Sequence, residues 1–102
     1  MSALPAVTRV CNEHGVLEYH VLAVADWDGF ESLAKYLEKY WSAVVVERDD
    51  NVYSRRWVLR SDDVSVSLYH DSQKGNFFLR EDGGLKQDLL ERIEADLIGR
   101  LG

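Results

Sequence analysis

The segment "DWDGFESLAKYLEKYWS", residues 26 to 42, constrains the fold more than any other part of the chain. Phe30, Leu33, Ala34, Leu37 and Trp41 recur at helical spacing, with Lys35, Glu38 and Lys39 on the opposite side. Asp28 followed by Glu31 fits a capping box, with Trp27 just before it. A helix that is apolar on one side must lie against something else, and the rest of the chain has to supply that surface.

The tail "GGLKQDLLERIEADLIGRLG" repeats the demand. Leu85, Leu89, Ile93, Leu97 and Leu101 form a second stripe, widened by Leu90 and Ile98, after a start at Asp82 or the glycines behind it. The remaining segments read as strands. "VTRVC" and "VLEYHVLAV" flank the turn "NEHG" as a hairpin. "AVVVERDD" is a β-branched run, expected as a buried strand. "NVYSRRWVLR" and "VSVSLYHD" form a second hairpin around "SDD", and "NFFLRED" follows the turn "SQKG". The expected order is β-β-α-β-β-β-β-α in one α+β domain spanning residues 1–102, with a mixed or antiparallel sheet and both amphipathic helices on one face. The other sheet face is then left open to water or to a partner.

Charge and cysteine usage narrow the partners. A net charge of -6 repels phosphate backbones and argues against nucleic acid. No apolar run reaches the length of a membrane span, and the start "MSALPAVTRV" lacks a signal-peptide pattern. A single cysteine, Cys11, excludes an intrachain disulfide and suits a reducing compartment, so the expected setting is the cytoplasm.

Strand alternation sorts the side chains by face. Val64, Val66 and Leu68 point toward the helices, and Ser65, Ser67 and Tyr69 away. In "SRRWVLRS", Trp57 and Leu59 belong to the core with Tyr53, while Ser54, Arg56, Val58 and Arg60 look outward. Phe77 with Leu79 and Phe78 with Arg80 are rival faces of one strand, because each carries a phenylalanine. The open face is expected to hold Glu18, His20, Arg56, Arg60, Ser65, Ser67, Tyr69, Phe78 and Arg80. Of these, His20, Arg56, Arg60, Tyr69, Phe78 and Arg80 are the candidate partner-binding residues, since arginine and tyrosine are enriched at interface hot spots. The commoner role of such arginines is to cover a half-solvated sheet with their aliphatic stems. Arg55 falls on the apolar face, where it either stacks on a ring or anchors a ligand in a cleft.

Catalytic signals are weak. Cys11 with His20 lacks an orienting group. "YHD" at 69 to 71 alternates faces, and no Cys or His spacing matches a metal site. The glycine pair before the last helix lacks a phosphate-binding lysine, and Glu81 and Asp82 would repel the phosphate. No cofactor or metal is expected, and the residues lean against an enzyme without deciding the question. Size, acidity and element order are similar to those of small acidic bacterial α+β proteins such as secretion chaperones and toxin-immunity proteins. The leading expectation is a small cytoplasmic protein-binding module, of adaptor, chaperone-like or immunity-like kind, whose open face holds another protein or a second copy as a homodimer. The alternative is a small-ligand protein or enzyme with an aromatic pocket between the first helix and the sheet, lined by Tyr19, Trp41, Trp57 and His70.

Overall fold

The computed structural model describes residues 6–80 and 88–101. Its elements follow the expected order: β1 Val7–Cys11, β2 Leu17–Val21, α1 Trp27–Tyr40, β3 Val44–Asp50, β4 Ser54–Ser61, β5 Val64–Asp71, β6 Gly75–Leu79 and α2 Asp88–Leu101. The six strands make one sheet in the order β1-β2-β6-β5-β4-β3, and every neighbouring pair is antiparallel. The expected start of the second helix, near Asp82 and Leu85, lies outside the described residues.

Both helices cover one face. Opposed residues along one row of that face are Arg9, Tyr19, Phe78, Leu68, Trp57 and Arg48. Phe30 of α1 meets Trp57 edge-on at 5.1 Å between ring centres. Arg9 pairs with Glu94 of α2 at 2.5 Å. The helices also tie to each other, because the Tyr36 hydroxyl donates to Asp96 at 2.5 Å. Burial, followed by that hydrogen bond, pushes the Tyr36 pKa up to about 12. The core between the layers holds Phe30, Leu33, Leu37, Leu90, Ile93 and Leu97 from the helices against Tyr19, Leu59, Val66 and Leu68 from the sheet.

Several local expectations are corrected. The first helix is capped by Asp26, whose carboxylate accepts the Gly29 N–H at 2.8 Å, rather than by Asp28. Gly29 is required there, since a Cβ would stand 2.3 Å from Val24 Cγ1 and 2.5 Å from the capping oxygen. "AVVVERDD" is not a buried strand. Among the described residues β3 has β4 as its only sheet neighbour, and Val44 and Val46 are 62% and 58% exposed. A bulge between Val45 and Glu47 interrupts its register, a common device on edge strands. Tyr53 precedes β4 and is exposed, so it is not part of the core.

The turn between β5 and β6 is held by Asp71, which accepts the N–H groups of Gln73 at 2.8 Å and Lys74 at 3.1 Å. Those two backbone donors hold the Asp71 carboxyl below the ordinary aspartate range. A group whose folded pKa is depressed contributes stability above its unfolded value, near pH 3.9, and that stability is lost as pH falls through the folded value. Asp71→Ala is therefore expected to cost about 1 kcal/mol at neutral pH. The gap to wild type should narrow below about pH 4 in urea titrations. A gap independent of pH would mean that the charge plays no part.

Candidate functional site on the open sheet face

The face away from the helices carries its own row of opposed residues: Thr8, His20, Phe77, Tyr69, Arg56 and Asp49. The middle four stack in sequence. His20 lies 4.7 Å from Phe77, ring centre to ring centre, and Phe77 lies 5.1 Å from Tyr69 with the planes 2° apart. The Arg56 guanidinium stands 6.0 Å from the Tyr69 ring, and its Nε donates to the Tyr69 hydroxyl at 3.1 Å. Arg56 also pairs with Glu47 at 2.6 Å. The row thus runs unbroken across β2, β6, β5 and β4.

Phe78 is absent from this face, which corrects the expected face assignment. It is buried and stacked on Tyr19 at 5.0 Å, under the helices. The rivalry between Phe77 and Phe78 is settled by pairing with β2: Tyr19 opposes Phe78, and His20 opposes Phe77. Arg80 follows Phe78 to the helix side. It lines a cleft of about 300 Å3 with Asp88, Leu89 and Arg92 of α2. Arg60 does look outward, where it meets Asp63 at 3.4 Å.

No helix of the described residues covers the open face, yet part of it is sheltered. Glu18 and His20 are only 8% and 9% exposed, and Ser67, Phe77 and Leu79 are also buried. The turn between β1 and β2 borders this part of the face. Asn12 builds that turn with its side-chain oxygen, which accepts the N–H groups of His14 at 2.9 Å and Val16 at 3.0 Å. Asn12, His14 and Val16 wall a cleft of about 450 Å3 whose floor is Glu18, Phe77 and Leu79, with Tyr69 opposite. A second cleft of about 510 Å3 shares Asn12, His14 and Glu18 and reaches His20 and Lys74.

Glu18 and His20 stand two residues apart on one strand, so their side chains lie on the same face. His20 Nε2 and Glu18 Oε1 are 2.8 Å apart. Asn12 Nδ2 donates to Glu18 Oε2 at 3.2 Å. The cleft residues Asn12, His14, Val16, Phe77 and Leu79 were not among the candidates from sequence. The "NEHG" turn was visible, but its place beside Phe77 and Leu79 depends on strand pairing distant in the chain.

The members of the second candidate set make separate contacts. Tyr19 is fully buried, and that burial raises its hydroxyl pKa. Trp41 closes α1 and donates its indole N–H to the Tyr36 oxygen at 2.8 Å. Trp57 packs against Phe30. His70 bonds Asn76 at 2.7 Å and meets Trp27 edge-on. None of the three clefts described above is lined by any of these four residues.

Arg55 resolves as a core residue. It is 6% exposed, and its guanidinium lies 4.8 Å from the Trp27 ring, 4.7 Å from Phe30 and 4.9 Å from Trp57. Asp50 and Glu31 each reach it at 3.1 Å. Such a site balances the desolvation of the cation with aromatic faces and carboxylates at its rim.

Among the described residues, no group of three His, Cys, Asp or Glu is placed to hold a metal ion, and no helix is long and apolar enough to cross a membrane. No protein-family model matches the chain, and no curated protein and no solved structure matches it.

Proposed function

We infer that the protein is a binding module that holds a protein partner on the open face of its sheet. The observation that carries this reading is the composition of that face. A sheet side without helices ordinarily presents solvated polar residues. Here it presents a stacked row of His20, Phe77, Tyr69 and Arg56 beside a sheltered cleft. Ring-rich, partly desolvated ground of this kind supplies the anchors of protein interfaces. Arg60 extends the row toward the β4–β5 turn. A reducing compartment such as the cytoplasm suits the exposed thiol of Cys11.

The test compares wild type with the double variant Arg56→Glu, Arg60→Glu. Arg56→Glu removes the hydrogen bond to Tyr69 and sets a second carboxylate beside Glu47. The partner recovered by wild type should bind the variant at least about tenfold more weakly, which is roughly 1.4 kcal/mol. Circular dichroism should show both proteins equally folded. Equal binding by both would exclude this face. Sedimentation at increasing concentration identifies the case in which the partner is a second copy.

A further inference from the structure

Among the described residues one carboxylate is buried, Glu18, and its one ion-pair partner there is the His20 ring at 2.8 Å, which carries a charge only when protonated. Its hydrogen bonds come from the Asn12 amide and the His20 ring, and no arginine or lysine among the described residues pairs with it. The contrast with the rest of the molecule is plain. Buried Arg55 has two carboxylates, Arg56 has Glu47, Arg9 has Glu94, and Arg100 has Asp96. A carboxylate withheld from water without a permanent counter-charge is costly, and a cation brought to it offsets part of that cost.

The surroundings of Glu18 define what that cation looks like. Val16 in the wall and Phe77 and Leu79 in the floor give the cleft its apolar lining, and the carboxylate stands beside them on the floor. The two sides of the Phe77 ring are taken by His20 and Tyr69, so a ligand cannot stack there. An unbranched aliphatic stem with a charged head fits that lining. About 450 Å3 accommodates one long side chain and part of its neighbours. A chain of net charge -6 also draws basic partners by its overall field.

We propose that this cleft receives an arginine or lysine side chain of the partner protein, with the charged head on Glu18 and the stem along Val16, Phe77 and Leu79. The proposal rests on the open face being the binding face, and adds the chemistry of the partner. Each oxygen of Glu18 accepts one hydrogen bond from within the protein, so each retains a lone pair for a guanidinium fork or an ammonium.

The experiment is a titration of 15N-labelled protein with the peptide acetyl-Leu-Arg-Leu-amide and with its citrulline counterpart, which keeps the shape and loses the charge. Saturable shifts are expected at the amides of His14, Val16, Phe77 and Leu79 with the arginine peptide, and at least about tenfold weaker binding with citrulline. Glu18→Gln should bring the arginine peptide to the citrulline level. The citrulline comparison uses wild-type protein, so it stands even if the variant folds poorly. A third arm uses n-butylguanidinium: binding as tight as that of the peptide would assign the cleft to free small cations and overturn the side-chain proposal. Equal binding of both peptides, or no shift at these amides, overturns it too. Shifts confined to Arg56 and Arg60 would overturn the cleft while leaving the open face as the binding surface. Loss of the partner only in the Arg56→Glu, Arg60→Glu variant separates those two conclusions.

Discussion

Trp57→Ala is expected to remove about 3–5 kcal/mol of stability, enough to leave a domain of this size marginal. The indole has three roles at once. It fills the space under Phe30 in the layer between α1 and the sheet. It lends a face to the buried guanidinium of Arg55 at 4.9 Å and to Arg48 at 4.4 Å. Its N–H donates to Asp50 Oδ1 at 2.8 Å, the same oxygen that accepts from Arg55 Nε. Truncation leaves a void and strips one wall from a buried cation, so collapse of the site cannot restore what is lost. Trp57→Phe keeps most of the volume and loses the hydrogen bond, and should cost only about 1–2 kcal/mol. Melting temperature should drop by about 4–8 °C for each kcal/mol. A loss under about 1.5 kcal/mol for Trp57→Ala would show that the aromatic cage around Arg55 is not a structural centre.

The second large effect is expected at Asn76, which is 1% exposed. Its amide nitrogen donates to the Val24 carbonyl at 2.8 Å and the Asp26 carbonyl at 3.0 Å. Its oxygen therefore faces His70 Nδ1 at 2.7 Å, and that ring nitrogen carries the proton. The side chain at the start of β6 thus holds the chain entering α1. Asn76→Asp places an oxygen against two carbonyls, and about 3 kcal/mol or more should be lost near neutral pH. The sign of its pH dependence follows from the same contacts. Two carbonyls raise the pKa of the introduced carboxyl in the folded state. A raised group contributes stability below its unfolded value and loses it as pH rises. The deficit of Asn76→Asp should shrink toward pH 4, whereas that of Asn76→Leu should not. Amide exchange at residues 24 to 30 would report the loosened helix entry. Identical, pH-independent losses in both variants would contradict the assigned hydrogen-bond directions.

Much of this architecture was legible in the residues. The stripe of Phe30, Leu33 and Leu37 and the alternation of Val66, Leu68 and Tyr69 each carry their own period, so element type and face follow locally. Arg55 stood out as a charge on an apolar face, and it is buried there. What stayed hidden depends on pairing between distant segments. Phe77 and Phe78 are equivalent until β2 selects a register. "AVVVERDD" has the composition of an interior strand, and β-branched side chains carry no information about whether a strand has one neighbour or two. The capping-box pattern pointed to Asp28 although Asp26 is the cap, and the closeness of Val24 to Gly29 belongs to the turn rather than to the cap pattern. The cleft was least legible, because its wall and its floor lie more than sixty residues apart in the chain, at Asn12 and Phe77.

The strand order carries a consequence for the time course of folding. β3, β4, β5 and β6 join successive neighbours through short turns, so their ladders close small loops. The first hairpin, by contrast, meets the meander only where β2 meets β6, at Tyr19 with Phe78 and His20 with Phe77. Most of the chain must be in place before that junction can form. The two ring stacks grip it from opposite sides, Tyr19 on Phe78 beneath the helices and His20 on Phe77 on the open side. A chain built this way is expected to complete its meander before it gains the hairpin. The open-face cleft, lined from both the hairpin and the meander, therefore cannot exist before that junction is made.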